Sequence, residues 1–236
     1  MRIFFPLLSV VFFFGCKNQD HSDEVQQWTT HEIPFNSEKT YTNGYIDVEV
    51  WVQFRNDKGD SLVRPAFWDG DTVWKVRFAP PDFDNTWTWT SHASVEDMGL
   101  AGKTGTLRSV EYEGKNKLLR HGLLNMSPGK RNVVHADGKP FLVVGDTPWS
   151  IPFRSTPEQV HVYADDRSEK GFNTALLLTL QPDKFAKGPE ARNTVLGFDR
   201  AFEDLPDGHV NKLKPDYFQT LDSLVQLLID HGLTPV

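Results

Sequence analysis

Gly145-Asp146-Thr147-Pro148-Trp149 sets a carboxylate and an indole three residues apart, directly after the apolar run 141–144. A carboxylate accepts hydrogen bonds from hydroxyl groups, and an indole offers a flat apolar face on which a ring can stack. Asp146 and Trp149 are therefore the candidate ligand contacts. The alternative is structural, with Asp146 capping or bridging neighbouring loops and Trp149 packing beneath them. Asp183, Asp199, Glu203, Asp204 and Asp207 fall in the stretch 181–214, where acidic loop residues are ordinarily just solvated. Arg192 and Asn193 in the same stretch are weaker contact candidates. His121, His135 and His209 are too scattered to suggest a metal site, and neither a metal nor a cofactor is expected. The segment after the apolar run lacks the glycines of a phosphate loop, which weakens a nucleotide-binding reading. Asp82-Phe83-Asp84-Asn85 lacks the spacing of a calcium loop and reads as a solvated turn.

Asp146 and Trp149 need elements to hold them. A continuous apolar run bounded by turn residues, as at 141–144, suits a strand buried on both faces. Thr156-Pro157-Glu158 supplies an N-cap, a proline at the first helical position and an early carboxylate. Val160, Tyr163, Ala164 and Arg167 line the helix that follows, and Gly171 ends it. The stretch 172–180 reads as a second buried strand. A second helix begins near Pro215, carries Phe218, Leu221, Leu224, Val225 and Leu228 on one stripe, and closes at His231-Gly232. A third strand starts at Leu233. Strand, helix, strand, helix, strand predicts a parallel α/β sheet, and the pattern fits both a barrel and an open sheet. The long connection 181–214 leaves the C-terminal end of its strand, which is where a (β/α)8 barrel builds substrate pockets. Ahead of this unit, 123–126 and 132–135 read as short strands flanking Ser127-Pro128-Gly129.

The part from 28 to 119 has a different period. Val48, Val50, Val52 and Phe54 alternate along one strand, and Asn56-Asp57-Lys58-Gly59-Asp60 turns the chain into another at 62–68. Trp74, Val76 and Phe78 share a face, Trp87 and Trp89 alternate, and a last strand covers 106–112. Short strands at hairpin spacing predict an antiparallel β-sandwich. Trp74, Trp87 and Trp89 could form a stacking platform for sugar rings, but their alternation favours a place between two sheets.

The chain has 236 residues, 39% of them hydrophobic, and a formal charge of −7 with acidic and basic residues interspersed. It can bury a core, and it has no basic stripe to neutralise a phosphate backbone, so nucleic acid is not an expected partner. Arg2 precedes an apolar run at 3–14, followed by Gly15-Cys16 and the polar Lys17-Asn18-Gln19-Asp20. The run is short for a membrane anchor and suits an export signal. Cys16, the only cysteine, stands where the lipobox of bacterial lipoproteins places its lipidated residue, although Phe13 replaces the usual leucine. That resemblance implies lipidation at Cys16, a polar tether over 17–27 and a lipid-anchored place at the cell envelope. The alternative is an ordinary cleaved signal.

Tyr41-Thr42-Asn43-Gly44-Tyr45, Phe67-Trp68-Asp69-Gly70, Val76-Arg77-Phe78-Ala79-Pro80, Gly145-Asp146-Thr147-Pro148-Trp149, and Asp166-Arg167 through Lys170-Gly171-Phe172-Asn173 occur in an informative order. Together they resemble a family of secreted glycosidases with an immunoglobulin-like N-terminal domain before an apiosidase-like barrel; the family usually has a small residue at Pro148. The resemblance implies a multidomain β plus α/β protein: a signal and lipobox over 1–16, a tether over 17–27, an immunoglobulin-like sandwich over 28–119, and the first part of a (β/α)8 TIM barrel over 120–236. It further implies an exported glycoside hydrolase with a carbohydrate substrate, Asp146 hydrogen-bonding sugar hydroxyls and Trp149 stacking. Such barrels carry their catalytic carboxylates near the ends of the fourth and seventh strands, hence beyond residue 236, so this chain is expected to be an N-terminal fragment, catalytically incomplete. The other readings are a non-catalytic glycan-binding surface lipoprotein and a truncated, inactive product.

Overall fold

The computed structural model describes residues 23–180 and 200–236. Cys16 with its export signal, tether positions 17–22, Asp183, Arg192, Asn193 and Asp199 lie outside the described residues.

Seven strands of the N-terminal part make one mixed, nearly closed sheet. They are β1 (Asp23–Gln26), β2 (His31–Asn36), β3 (Val50–Asn56), β4 (Ser61–Gly70), β5 (Val73–Phe78), β6 (Asn85–Ala93) and β7 (Thr104–Val110), in the spatial order β1-β7-β6-β3-β4-β5-β2. The first half of β4 pairs with β3 and the second half, from Ala66, with β5, so this one strand carries the sheet around its corner. The two halves then face each other. Phe54 of β3 stacks on Phe78 of β5 with ring centroids 4.0 Å apart, and Phe78 meets Trp87 of β6 edge-on at 5.2 Å. Val52, Phe54, Trp74, Val76, Phe78 and Trp87 are all buried, as period-two alternation requires. Each large apolar side chain so buried contributes about 2–3 kcal/mol. Trp74 and Trp87 are thus core residues and cannot form a stacking platform.

The end of the stretch read as tether, Asp23–Gln26, is a strand with Val25 buried. It pairs parallel to β7, so the sheet is mixed rather than purely antiparallel. The physical reason is the otherwise open edge of β7, which β1 covers. The strand expected to include Val48 begins only at Val50, because Gly44–Asp47 forms a helical turn, α1, closed by the Asn43 N–H donating to Asp47 Oδ2 at 2.9 Å.

The second part opens with a small antiparallel sheet of β8 (Leu124–Met126), β9 (Val133–His135) and β10 (Pro140–Phe141). A parallel sheet of β11 (Gly145–Asp146), β12 (Thr174–Ala175) and β13 (Thr234–Pro235) follows, in that order across the sheet. The short α2 (Ile151–Arg154) and the longer α3 (Pro157–Glu169) lie between the first two strands, and α4 (Pro215–Asp230) precedes the third. Thr156 caps α3 in a reciprocal box with Gln159, with Pro157 at the first turn. Both long helices end in the same way. Gly171 and Gly232 take the left-handed conformation, with φ of 84° and 78°. Phe172 N–H then returns to Arg167 O at 2.9 Å, and Leu233 N–H to Leu228 O at 3.0 Å. Each Schellman turn aims the chain into the next parallel strand.

The run 141–144 is not one buried strand. Pro140–Phe141 pairs with β9, Gly145–Asp146 pairs with β12, and Leu142 between them is 79% exposed. Asn173 explains the division. Its Nδ2 donates to Leu142 O at 2.7 Å, and its Oδ1 accepts from Val144 N–H at 2.9 Å, so a side chain replaces a strand partner. Likewise only Thr174–Ala175 of the stretch 172–180 is regular strand, though Leu176 N–H to Asp146 O and Leu177 N–H to Val236 O continue the pairing.

Val160 and Ala164 of α3 pack with Leu224 and Leu228 of α4, Ala175 and Leu233 in one core cluster. Phe153, Phe202, Leu205, Tyr217 and Leu221 form another. The solvent side of α4 meets the N-terminal sheet: Asp222 pairs with Arg77 of β5, and Gln219 Nε2 donates to Asp69 O at 3.1 Å. Among the described residues no helix is long and apolar enough to cross a membrane.

Candidate functional site

The three parallel strands run in one direction, so the segments leaving their C-terminal ends gather on one side of the sheet. Asp146 ends β11. Trp149 follows three residues later, just before α2, and its carbonyl accepts from Leu178 N–H at 3.1 Å, which ties the loop after β11 to the segment after β12. The Trp149 side chain is 53% exposed, an open aromatic face at this end of the sheet. Nearby, Tyr217 in the first turn of α4 donates its hydroxyl to Thr179 O at 2.8 Å. Burial pushes that phenol well above its ordinary value, so it stays a neutral donor.

Asp146 is committed to the protein. Its Oδ1 accepts from Thr147 N–H and its Oδ2 from Arg167 Nε, both at 2.7 Å. Arg167, in the last turns of α3, also lies over the rings of Tyr163 and Phe172, 5.5 and 5.2 Å from their centroids. Burial, then the Asp146 charge, raises the Tyr163 phenol above its ordinary 10.0. In this geometry Asp146 bridges β11 to α3 while its side chain stays 32% exposed, and Trp149 is exposed three residues on.

The acidic residues of the long connection divide as well. Asp204 is a structural acceptor: its carboxylate takes the N–H groups of Asn211 and Lys212 at 3.1–3.2 Å. Burial works against its ionisation, but those N–H groups prevail and hold it below the usual carboxylate value. Asp207 ends a single 3-10 turn, Leu205–Asp207, and Gly208 caps it. His121 and His135 do approach each other, with ring centroids 5.4 Å apart. Each has another partner: His121 Nδ1 meets Asp137 at 2.8 Å and His135 Nδ1 meets Gly122 O at 3.0 Å.

Residues 127–236 match the family described as apiosidase-like, catalytic domain, and residues 24–94 match a domain of unknown function, DUF5060. Among solved structures, a candidate glycoside hydrolase from Bacteroides vulgatus ATCC 8482 superposes with a TM-score of 0.70 at 19% identity, over 91% of this chain. The chain spans 40% of that protein's length. A glycoside hydrolase family 5 protein from the same organism aligns over 49% of this chain and 24% of its own, at 20% identity and a TM-score of 0.35. A search of curated proteins finds no match.

Proposed function

We propose that this chain, similar to the apiosidase-like catalytic domain over 127–236 and to DUF5060 over 24–94, is the N-terminal part of an exported glycoside hydrolase acting on complex polysaccharide or glycan side chains. The observation that carries this reading is the exposed Trp149 at the C-terminal end of a parallel sheet within the apiosidase-like region. In a (β/α)8 barrel that end holds the substrate, and an exposed indole stacks on a pyranose face. On this reading the seven-stranded sheet is an immunoglobulin-like sandwich and the parallel strands are the first three of the barrel. Trp149 is a stacking residue, and Asp146, whose side chain stays 32% exposed, hydrogen-bonds sugar hydroxyls while holding the start of its loop.

Glycoside hydrolysis requires an acid that protonates the leaving oxygen and a second carboxylate that attacks the anomeric carbon or activates water. The proposal places both on later barrel strands, outside residues 1–236. The matched structure, of which this chain covers 40%, is long enough to hold such later strands. Lipidation at Cys16 and residence at the cell envelope are part of the same proposal, supported by the sequence around Cys16.

The test is a titration of the chain with soluble plant polysaccharides, followed by tryptophan fluorescence, beside Trp149→Ala. Saturable quenching that weakens about tenfold or more in the variant is expected, since one aromatic stacking contact contributes about 1–3 kcal/mol. Binding unchanged by the substitution would remove Trp149 from the site. Glycosidase turnover by the 236-residue chain itself would overturn the placement of the catalytic pair.

A further inference from the structure

Among the described residues, one group of three His, Cys, Asp or Glu side chains converges closely enough to hold a metal ion: His161, Asp165 and His231, whose donor atoms all lie within 4.8 Å of one another. We propose that these three residues form a binding site for a divalent transition-metal ion of the zinc class, clipping α3 to the end of α4.

The helices create the arrangement. His161 and Asp165 stand one turn apart on α3, on the same face, with His161 Nε2 at 3.5 Å from Asp165 Oδ2. His231 is the C-cap of α4, and its Nε2 lies 3.2 Å from Asp165 Oδ1. The two imidazoles meet edge to face with centroids 4.9 Å apart, and their donor nitrogens lie within 4.8 Å of each other.

The orientation of His231 is itself informative. Its Nδ1 is 2.7 Å from Leu227 O. A carbonyl oxygen can only accept, so Nδ1 carries the proton, and in the neutral ring Nε2 then presents its lone pair to Asp165 and His161. A backbone carbonyl that fixes the tautomer of a ligating histidine is the usual outer partner in metal sites. Zinc bonds of about 2.0–2.1 Å place neighbouring donors roughly 3.4 Å apart. His161 Nε2 and His231 Nε2 approach different oxygens of Asp165, at 3.5 and 3.2 Å, and rotation of the exposed His161 and Asp165 side chains brings the three donors, already within 4.8 Å of one another, onto one ion. Two imidazoles and one carboxylate suit zinc, copper or nickel, and suit calcium or magnesium poorly. His161 and Asp165 are exposed, which gives the ion a route of entry and leaves its fourth position to water.

The site lies at the C-terminal end of α4, whereas the first turn of that helix, through Tyr217 and Thr179, faces the Trp149 end of the sheet. The metal's role is therefore to fasten two helices whose shared core is Val160, Ala164, Leu224 and Leu228. It takes no part in chemistry at the Trp149 end.

The experiment uses the full chain freed of metal with a chelator, then dialysed against micromolar zinc chloride, with bound zinc measured by elemental analysis. Cobalt(II) serves as a spectroscopic probe, and His161→Ala and Asp165→Asn are run in parallel with circular dichroism to verify folding. One equivalent of zinc on the wild type is expected. A rise in melting temperature with zinc but not with magnesium, and a cobalt d–d band, should accompany it. Each exposed-site variant should stay folded, weaken zinc binding about tenfold or more, and lose the band. Zinc uptake that is absent from the wild type, or the same in both variants, would overturn the proposal and leave the three side chains as an ion-pair cluster.

Discussion

Asp146 gives one oxygen to its own loop and the other to Arg167, so removing either partner leaves the other with an unmet polar group in a half-buried setting. Asp146→Asn and Arg167→Met should each lower the melting temperature. The double variant should lose less than the sum of the two, since the second change removes a group already stranded. Strictly additive losses would mean the pair is not coupled. Asp97 offers a sharper case. It is 4% exposed and takes the N–H groups of Glu38, Lys39 and Gly99 and the hydroxyl of Tyr41. Burial would raise its pKa, but the hydrogen bonds from Glu38, Tyr41, Gly99 and Lys39 together hold it below the ordinary 3.8. A carboxylate depressed by folding stabilises the native state above its unfolded pKa and loses that contribution as pH falls through the folded one. Asp97→Asn should therefore cost about 2 kcal/mol near neutral pH by urea unfolding. That gap should narrow once the pH drops below 3.8; a gap constant down to strong acid would exclude the charge as its cause.

At the scale of elements, α3 and α4 are legible in the sequence because their ends are local chemistry. Thr156-Pro157-Glu158 starts one, Pro215 starts the other, and a glycine after each forces the left-handed turn. Thr156→Ala should cost about 1 kcal/mol, the loss of one cap. Leu224→Ala, which opens a hole between α3, α4 and the sheet, should cost about 3 kcal/mol. Equal effects in urea titrations would show that packing is not what holds α4. The elements that escape a reading of the sequence depend on partners far along the chain. The division of the run 141–144 is imposed by Asn173, and β1 forms on the free edge of β7 although Val25 alone gives no period. His161 and Asp165 carry a readable signal, their spacing of four on one helix, but His231 joins them only through the packing of α3 against α4. Trp149 stands out because an indole after an apolar run is conspicuous; its exposure is a tertiary fact.

At the scale of the whole molecule, the core of the seven-stranded sheet draws all its buried apolar side chains from Val25 to Leu107, and those of the second part form separate clusters. What joins the parts includes polar contacts, Arg77 with Asp222, Gln219 with Asp69, and Asn116 Nδ2 with Ile229 O at 2.8 Å, beside the ring contact of Tyr45 with Phe202 at 5.9 Å. Exposed pairs of this kind contribute little to stability. Residues 23–112 alone should therefore fold, with the near-ultraviolet circular dichroism of rigid Trp74 and Trp87; a featureless spectrum would show that the sheet depends on α4. The pairing of β1 with β7 also fixes a leash length. From Cys16 to Asp23 the backbone makes seven steps, which even fully drawn out reach about 25 Å. With a lipid on Cys16, as proposed, the start of β1 would stay within that distance of the bilayer, so the N-terminal sheet would sit next to the membrane surface.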